Sequence, residues 1–227
     1  MRMALFISTR RKRDMSSKTR HILVFTLAGA FFLGSCSELS KDQIDGDHLA
    51  PPELDFEYIS VSGGRIHTLH ELKYVVSTAA DLQVTEPKSR IAQFNGTPYR
   101  ISLAAFISDT GSLMIHAEEV ADSSGASNYS HLPSAIWPNE SFRSSGPQCI
   151  QIPAEEVEEE HDLLWLRQNG FEPSGSIIYA QYFATTADMN SELVISILHR
   201  VTSCDEASAD SEIIREFQAK TLVTRLE

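Results

Sequence analysis

Alternating apolar and polar positions from residue 54 onward predict a series of antiparallel strands. Leu54–Ser62 alternates and is followed by Gly63-Gly64, and glycine accepts the positive φ that a two-residue hairpin turn requires. Asn95-Gly96 is a second hairpin signal of the same kind. Five strands joined by tight turns would form an antiparallel meander with one face open to solvent. The predicted strands are residues 54–62, 65–76, 82–94, 99–106 and 112–120.

The alternation stops between Ala121 and Gln148, where Ser, Asn, Gly and Pro dominate. A connection of this length is usually either functional or disordered. Tyr129, Trp137 and Phe142 argue against disorder, so we predict an ordered loop over 121–148. Rigid aromatic side chains dominate interface energetics, which makes these three the candidate contact for a partner. The alternative is that they fold back and cap the core of the domain.

The C-terminal half combines helical and extended patterns. Pro153–Asn169 is predicted to be a helix, because Pro suits a helix start, acidic residues crowd the first turns and Gly170 provides a stop. A second helix is possible in the tail. The sequence therefore predicts one strand-rich α+β domain over residues 53–227, with one or two helices in its C-terminal half. The later elements are strands 177–186 and 192–203, a helix over 208–220 and a short strand over 221–226.

The N-terminal segment has a different pattern. Basic residues precede an apolar run from Ile22 to Leu33, and small residues then lead to Cys36. This order of charged, apolar and small residues is typical of an export signal. As a helix, Ile22–Ser35 would cover about 21 Å of a hydrocarbon core about 30 Å thick, too little for a spanning helix. A signal peptide cut at another position is the remaining alternative.

The ending Leu33-Gly34-Ser35-Cys36 resembles the lipobox of bacterial lipoproteins. The resemblance covers residues 1–36 and implies a signal peptide over 1–35. It also implies palmitate-type acyl chains on Cys36 that hold the protein in the lipid bilayer, since two or more chains anchor stably. Ser37 stands where Asp would retain a lipoprotein in the inner membrane of an enteric-type cell. The resemblance thus implies the outer membrane, facing the periplasm, with a flexible tether over 36–52.

Charge narrows the possible partners. The whole chain has a net charge of −12, and its first 36 residues hold seven Lys or Arg and one Asp, so the rest carries −18. Such an acidic domain repels phosphate backbones, which excludes nucleic-acid binding. It also repels anionic lipids, so the acyl chains must provide the membrane attachment.

Two cysteines remain beyond the lipobox, Cys149 and Cys204. In an oxidising envelope compartment, a pair of this kind predicts a disulfide, with two free buried thiols as the alternative. Their spacing fits neither a CxxC redox site nor a zinc knuckle.

His116 and Glu118 lie two apart on a predicted strand and therefore face the same way. Such a pair can act as a general acid and base, or as two metal ligands. It resembles the opening of the zinc deaminase motif, but Pro147-Gln-Cys149 lacks the second cysteine of the partner motif. An ion pair on the exposed face of the sheet is the expected role.

Other polar clusters fit structural roles better than catalytic ones. His67 and His70 would point to opposite faces of a strand, so they could not share an ion. Ser127 lies in a sequence that lacks the final glycine of a nucleophile elbow, which favours a hydrogen-bonding loop tip. The acidic run Glu155–Glu160 fits a helix start better than a calcium loop. We expect no metal and no cofactor.

Together these patterns favour an envelope lipoprotein that acts by binding another envelope protein, as a protein-binding or structural component. An enzyme is less favoured and would be an envelope hydrolase using His116, Glu118 or a loop serine. A third possibility is a small-ligand or glycan binder that uses the aromatic side chains as a stacking platform.

Overall fold

The computed structural model describes residues 54–79, 81–137, 140–204 and 210–227. Cys36 and the expected signal peptide and tether lie outside these residues. The described part is strand-rich, with antiparallel sheets and three helices in its C-terminal half, which confirms the α+β fold class. There are three helices and not two because the predicted helix 153–169 is divided into two separate helices.

The strands form a large sheet of nine and a small sheet of four. The large sheet has the order β4-β6-β7-β12-β11-β9-β8, with β5 beside β6 and β10 beside β11, and the small sheet has the order β1-β2-β3-β13. The strands are β1 Ile59–Ser62, β2 Arg65–Thr68, β3 Tyr74–Thr78, β4 Gln83–Val84, β5 Lys88–Phe94, β6 Thr97–Ile107, β7 Gly111–Val120, β8 Ser134–Trp137, β9 Glu140–Ser144, β10 Gln148–Ile152, β11 Gly175–Thr185, β12 Ser191–Arg200 and β13 Thr221–Arg225.

Both predicted glycine turns are present as two-residue hairpins. Ser62 pairs with Arg65 across the first turn, and Phe94 pairs with Thr97 across the second. All four central residues of these turns have positive φ, between 51° at Asn95 and 84° at Gly96. This backbone matches the twist of antiparallel strands, which explains why the local sequence was sufficient to predict it.

The prediction that the first five strands form a single meander is wrong. The predicted strand 65–76 is interrupted after Thr68, whose hydroxyl donates to the carbonyl of Leu72 and accepts from the amide of Tyr74. The resulting turn separates β2 from β3. β1, β2 and β3 then leave the path of the later strands and form the small sheet with β13.

The predicted loop 121–148 is shorter than expected. Residues 134–137 and 140–144 form β8 and β9, and β9 extends the large sheet by pairing with β11. These strands are only four and five residues long, and prolines surround them, so alternation is too brief to detect. Among the described residues of this range, those without strands or helices are 121–133 and the connection 145–147.

The helices are α1 Ala154–Glu159, α2 His161–Gln168 and α3 Asp210–Lys220. The predicted helix 153–169 is broken at Glu160, which has extended backbone angles of φ −96° and ψ 115°. Pro153 lies just before the first helical residue, in the extended region. The break lets α2 start afresh and bury Leu163 and Leu166.

The large sheet is covered on both faces. One face of β6, β7, β11 and β12 packs against the small sheet and α3, in a core that includes Ile115, Ile195, Ile66 and Val223. The opposite face packs against α1 and α2, with Met114 and Leu198 in a second core. In this three-layer arrangement, the side chains on both faces of the central strands are buried, including most of the polar ones.

Candidate functional site

His116 and Glu118 form the pair that their spacing predicts, but the pair is buried. The Nδ1 atom of His116 lies 2.9 Å from Oε1 of Glu118, and the two residues are 0% and 1% exposed. The expected position on an exposed sheet face is therefore wrong. The reason is that β7 is a central strand whose two faces are both covered.

The surroundings of this pair are mixed polar and apolar. Glu118 lies opposite Glu192 on β12, and His116 lies opposite Val194. The Nε2 atom of His116 has no hydrogen-bond partner among the described residues. A carboxylate bound to Nδ1 can orient an imidazole as a general base. The pair has this geometry, but its complete burial keeps substrate away from it in this conformation.

Ser127 is buried in the segment 121–133, and its amide donates to the carbonyl of Met189 at 3.1 Å. It lines a cavity of about 310 Å³ together with Tyr129, Phe183 and Arg143. Within the described residues, Ser127 and His116 share no hydrogen bond. The structure therefore does not assemble a nucleophile and base from these two candidates.

The three aromatic candidates for partner contact are core residues. Tyr129 stacks on Phe183 with ring centroids 4.1 Å apart. Trp137 is fully buried and donates its indole N–H to the carbonyl of Thr221. Phe142 is also buried, at 3% exposure. These side chains serve the core in this conformation instead of offering a contact surface, which corresponds to the alternative stated above.

The two histidines after the first glycine turn have separate environments. His67 lies on β2 and contacts the Ser62 hydroxyl, whereas His70 lies in the turn after β2 and is 5% exposed. The Nε2 atom of His70 is 2.9 Å from the carbonyl oxygen of Glu192. A carbonyl oxygen only accepts, so Nε2 carries the proton and Nδ1 is an acceptor. That Nδ1 has no partner in the described chain.

Burial lowers the pKa of His70 below its ordinary value of 6.5, although the bond to Glu192 and the charges of Glu119 and Glu118 oppose this effect. The imidazole is therefore neutral at pH 7, with a fixed tautomer.

His70 lies on the wall of an open polar groove with a volume of about 630 Å³. Three parts of the chain form this groove: the segment before β1, the turn between β2 and β3, and one end of β6 and β7. Its lining residues are Asp55, Phe56, Glu57, Tyr58, Leu69, His70, Glu71, Lys73, Arg100 and Glu119. Most of its charged side chains lie in exposed or half-buried positions, so solvent and ligands can reach them.

Tyr58 contacts two other residues that line the groove, Glu119 and His70. Its hydroxyl donates to Oε2 of Glu119, and its ring stacks on the imidazole of His70 at 5.8 Å. Burial, followed by the bond to Glu119 and the charge of that residue, raises the pKa of Tyr58 well above its ordinary value, with Arg100 opposing. The hydroxyl of Tyr58 thus stays protonated, and able to donate a hydrogen bond, over the physiological pH range.

No pattern in the sequence pointed to Tyr58, Arg100 or Glu119 as site residues. Arg100 and Glu119 are cross-strand partners in the β6–β7 hairpin, so their side chains leave the same face of the sheet. Fixing the register from the tight turn at residues 108–111 would have paired these two positions. Their convergence with His70, which lies in the turn between β2 and β3 of the small sheet, has no local signal.

The predicted disulfide is present. It joins Cys149 on β10 to Cys204 beyond β12, with Cα atoms 5.5 Å apart. Within the described residues, no group of three or more His, Cys, Asp or Glu side chains is placed to hold a metal ion. The same part of the chain contains no helix long and apolar enough to cross a membrane. Glu155 and Glu156 lie in the first turn of α1, as the acidic run predicted.

Comparison with protein-family models, with curated proteins and with solved structures found no match for this chain.

Proposed function

We propose that the protein is a lipid-anchored component of the bacterial cell envelope that acts by binding another envelope protein. The Cys149–Cys204 disulfide carries the proposal on the structural side, because such bonds persist in oxidising compartments. The lipobox-like Leu33–Cys36 supplies the expected anchor on the outer membrane, facing the periplasm. Both features are consistent with an exported domain held near a membrane surface.

The anchor is tested by metabolic labelling with a palmitate analogue in the native cell. We expect Cys36→Ala to lose the label and leave the membrane fraction, and Ser37→Ala to keep both. Ser37→Asp should move the protein to the inner membrane if the enteric-type sorting rule applies. Label retained by Cys36→Ala would contradict acylation at this residue.

The groove around His70 is the best supported contact for the partner. It is open, it combines both signs of charge, and it holds the half-buried rings of Phe56 and Tyr58. Aromatic residues and Arg are enriched in protein interfaces, and the groove presents both. The buried aromatic residues of the former loop 121–148 do not offer such a surface.

Native co-purification tests the binding function. Full-length protein is extracted in mild detergent beside the variants Glu71→Gln and Asp109→Asn, and companions are identified by mass spectrometry. Both residues are exposed, but Glu71 lines the groove and Asp109 lies in the turn between β6 and β7. We expect a stoichiometric companion that Glu71→Gln weakens and Asp109→Asn retains. The absence of any companion would contradict the proposal.

A hydrolase is the second candidate, favoured by the orientation of His116 by Glu118. It requires an opening that exposes the Nε2 atom of His116, which is buried and has no partner in the described part of the chain. Hydrolysis of ester or amide probes that disappears in His116→Gln, with an unchanged unfolding midpoint, would establish this candidate in place of the binding function.

A further inference from the structure

The groove is lined by a buried histidine, His70, whose second ring nitrogen can accept a hydrogen bond. His70 is only 5% exposed, and its Nδ1 atom has no hydrogen-bond partner within the described residues. Because Nε2–H is committed to the carbonyl of Glu192, Nδ1 can only accept. A buried polar atom without a partner carries a free-energy cost, which a ligand with an N–H donor would remove.

The charges around His70 favour a cationic donor. Four carboxyl side chains line the groove, against Lys73 and Arg100. Arg100 lies opposite Glu119 in the hairpin, so these two charges largely offset one another. The remaining charges, on Asp55, Glu57, Glu71 and Lys73, are all exposed and leave an acidic excess.

The aromatic rings of the groove suit the same kind of ligand. Phe56 and Tyr58 lie with their ring centroids 5.0 Å apart at a tilt of 33°. The faces of aromatic rings attract cations, most strongly where water is partly excluded. The Nδ1 atom itself is buried, so the side chains that cover it must shift for a donor to reach it.

We propose that this groove binds an ammonium or guanidinium group on a Lys or Arg side chain of a partner polypeptide, with Nδ1 of His70 accepting one of its hydrogen bonds. This inference rests on the proposed binding function and specifies the chemistry of its partner. Free polyamines share the ammonium chemistry, so the test separates the two sources.

The direct test observes the nitrogen atoms of His70 by NMR in the full-length protein, labelled with ¹⁵N-histidine and held in detergent. The probes are N-acetyl-lysine amide, N-acetyl-arginine amide, the uncharged N-acetyl-norleucine amide, spermidine and inorganic phosphate. We expect the Nδ1 resonance of His70 to shift with the lysine or arginine amide and to stay unchanged with the norleucine amide. The binding should weaken as salt is added.

Matched variants assign the contact to this atom. His70→Gln keeps an N–H close to the carbonyl of Glu192 but replaces the Nδ1 acceptor by an amide oxygen in a different position, so binding should weaken about tenfold. His67→Gln, outside the groove, should bind as the unmodified protein does. Glu71→Gln should weaken binding about two- to threefold, and Lys73→Gln should strengthen it by a similar factor.

Each other outcome overturns the proposal. Equal binding of the norleucine amide would show that charge has no role. Phosphate binding that Lys73→Gln abolishes would assign the groove to anions, and binding of spermidine alone would assign it to free polyamines. If a companion protein depends on Glu71 but neither cationic amide binds, this inference fails and the binding function stands. If neither a companion nor an amide binds, both fail.

Discussion

Buried polar side chains are concentrated on the central strands of the large sheet. His116 and Glu118 replace what could have been two apolar residues between the sheet and the layer that covers it. A hydrogen bond at 2.9 Å offsets part of the desolvation cost of both groups. Such a pair contributes little net stability, but each member depends strongly on the other.

The dependence predicts a non-additive response to substitution. His116→Leu should lower the free energy of unfolding by about 3 kcal/mol, because it leaves the carboxylate of Glu118 buried without its partner. The double substitution with Glu118→Leu should recover most of that loss. Urea unfolding curves of the two variants give the comparison. Equal losses in the single and double variants would show that the pair is not coupled.

The lowered pKa values of two histidines make the free energy of unfolding depend on pH. Burial lowers the pKa of His70 and of His199 below 6.5, with Glu216 partly opposing at His199. The unfolded chain therefore binds more protons than the folded chain just below pH 6.5. The stability from neutral burial is complete above 6.5 and is lost as the pH falls below it. Unfolding measured at about pH 7.5 and 5.5 should show a smaller decrease for His70→Gln than for His67→Gln.

At the scale of elements, the segment 121–133 is fastened to the turn between β11 and β12. The amide of Gly125 donates to Oδ1 of Asn190 at 2.8 Å, and Ser127 donates to the carbonyl of Met189. Gly125 has a φ of 67°, and a Cβ atom there would lie 2.9 Å from the carbonyl oxygen of Asp188. The close approach of two backbones therefore needs glycine at this position.

Gly125→Ala should detach this segment locally. The control is Gly146→Ala, where φ is similar at 72° but no described residue has an atom within 4 Å of the added Cβ. We expect a loss of about 1 kcal/mol at Gly146 from backbone strain alone, and about 2–3 kcal/mol at Gly125. Hydrogen exchange at the amide of Ser127 should accelerate only in Gly125→Ala. Equal effects of the two variants would exclude the contact with Asp188 as the cause.

Elements with a local cause could be predicted from sequence, and those with a distant cause could not. The turns at Gly63 and Asn95 need only their own positive φ values, and β12 shows its apolar character directly. The break at Glu160 depends on how α2 packs. The groove depends on a contact between two sheets, so only the identity of His70, and not its neighbours, was visible in the sequence.

At the scale of the whole molecule, the disulfide joins the edge of the large sheet to the connection that follows β12. Cys149 lies on β10, which pairs with β11 at the outer side of the sheet. The bond closes a separation of 55 residues. It therefore restricts the unfolded chain across α1, α2, β11 and β12 together.

Replacing both cysteines by serine should lower the free energy of unfolding by about 4 kcal/mol on the chain-entropy model. Unfolding of the unmodified protein with reductant present should show a similar loss, and reductant should not affect the double variant. If the double variant is as stable as the oxidised protein, the bond has no role in the stability of the domain.

β3 cannot pair with β13 until the ribosome has made the chain between them. Thr78 contacts the carbonyl of Lys220, 142 residues later in the chain, just where β13 begins. At about 5–20 residues per second, a ribosome needs roughly 7–28 s to make the intervening chain. During that interval the edge of β3, with Val75 and Val76, has no fourth strand beside it, and open strand edges are sites of aggregation. The nascent chain should therefore depend on chaperones at this edge until β13 arrives.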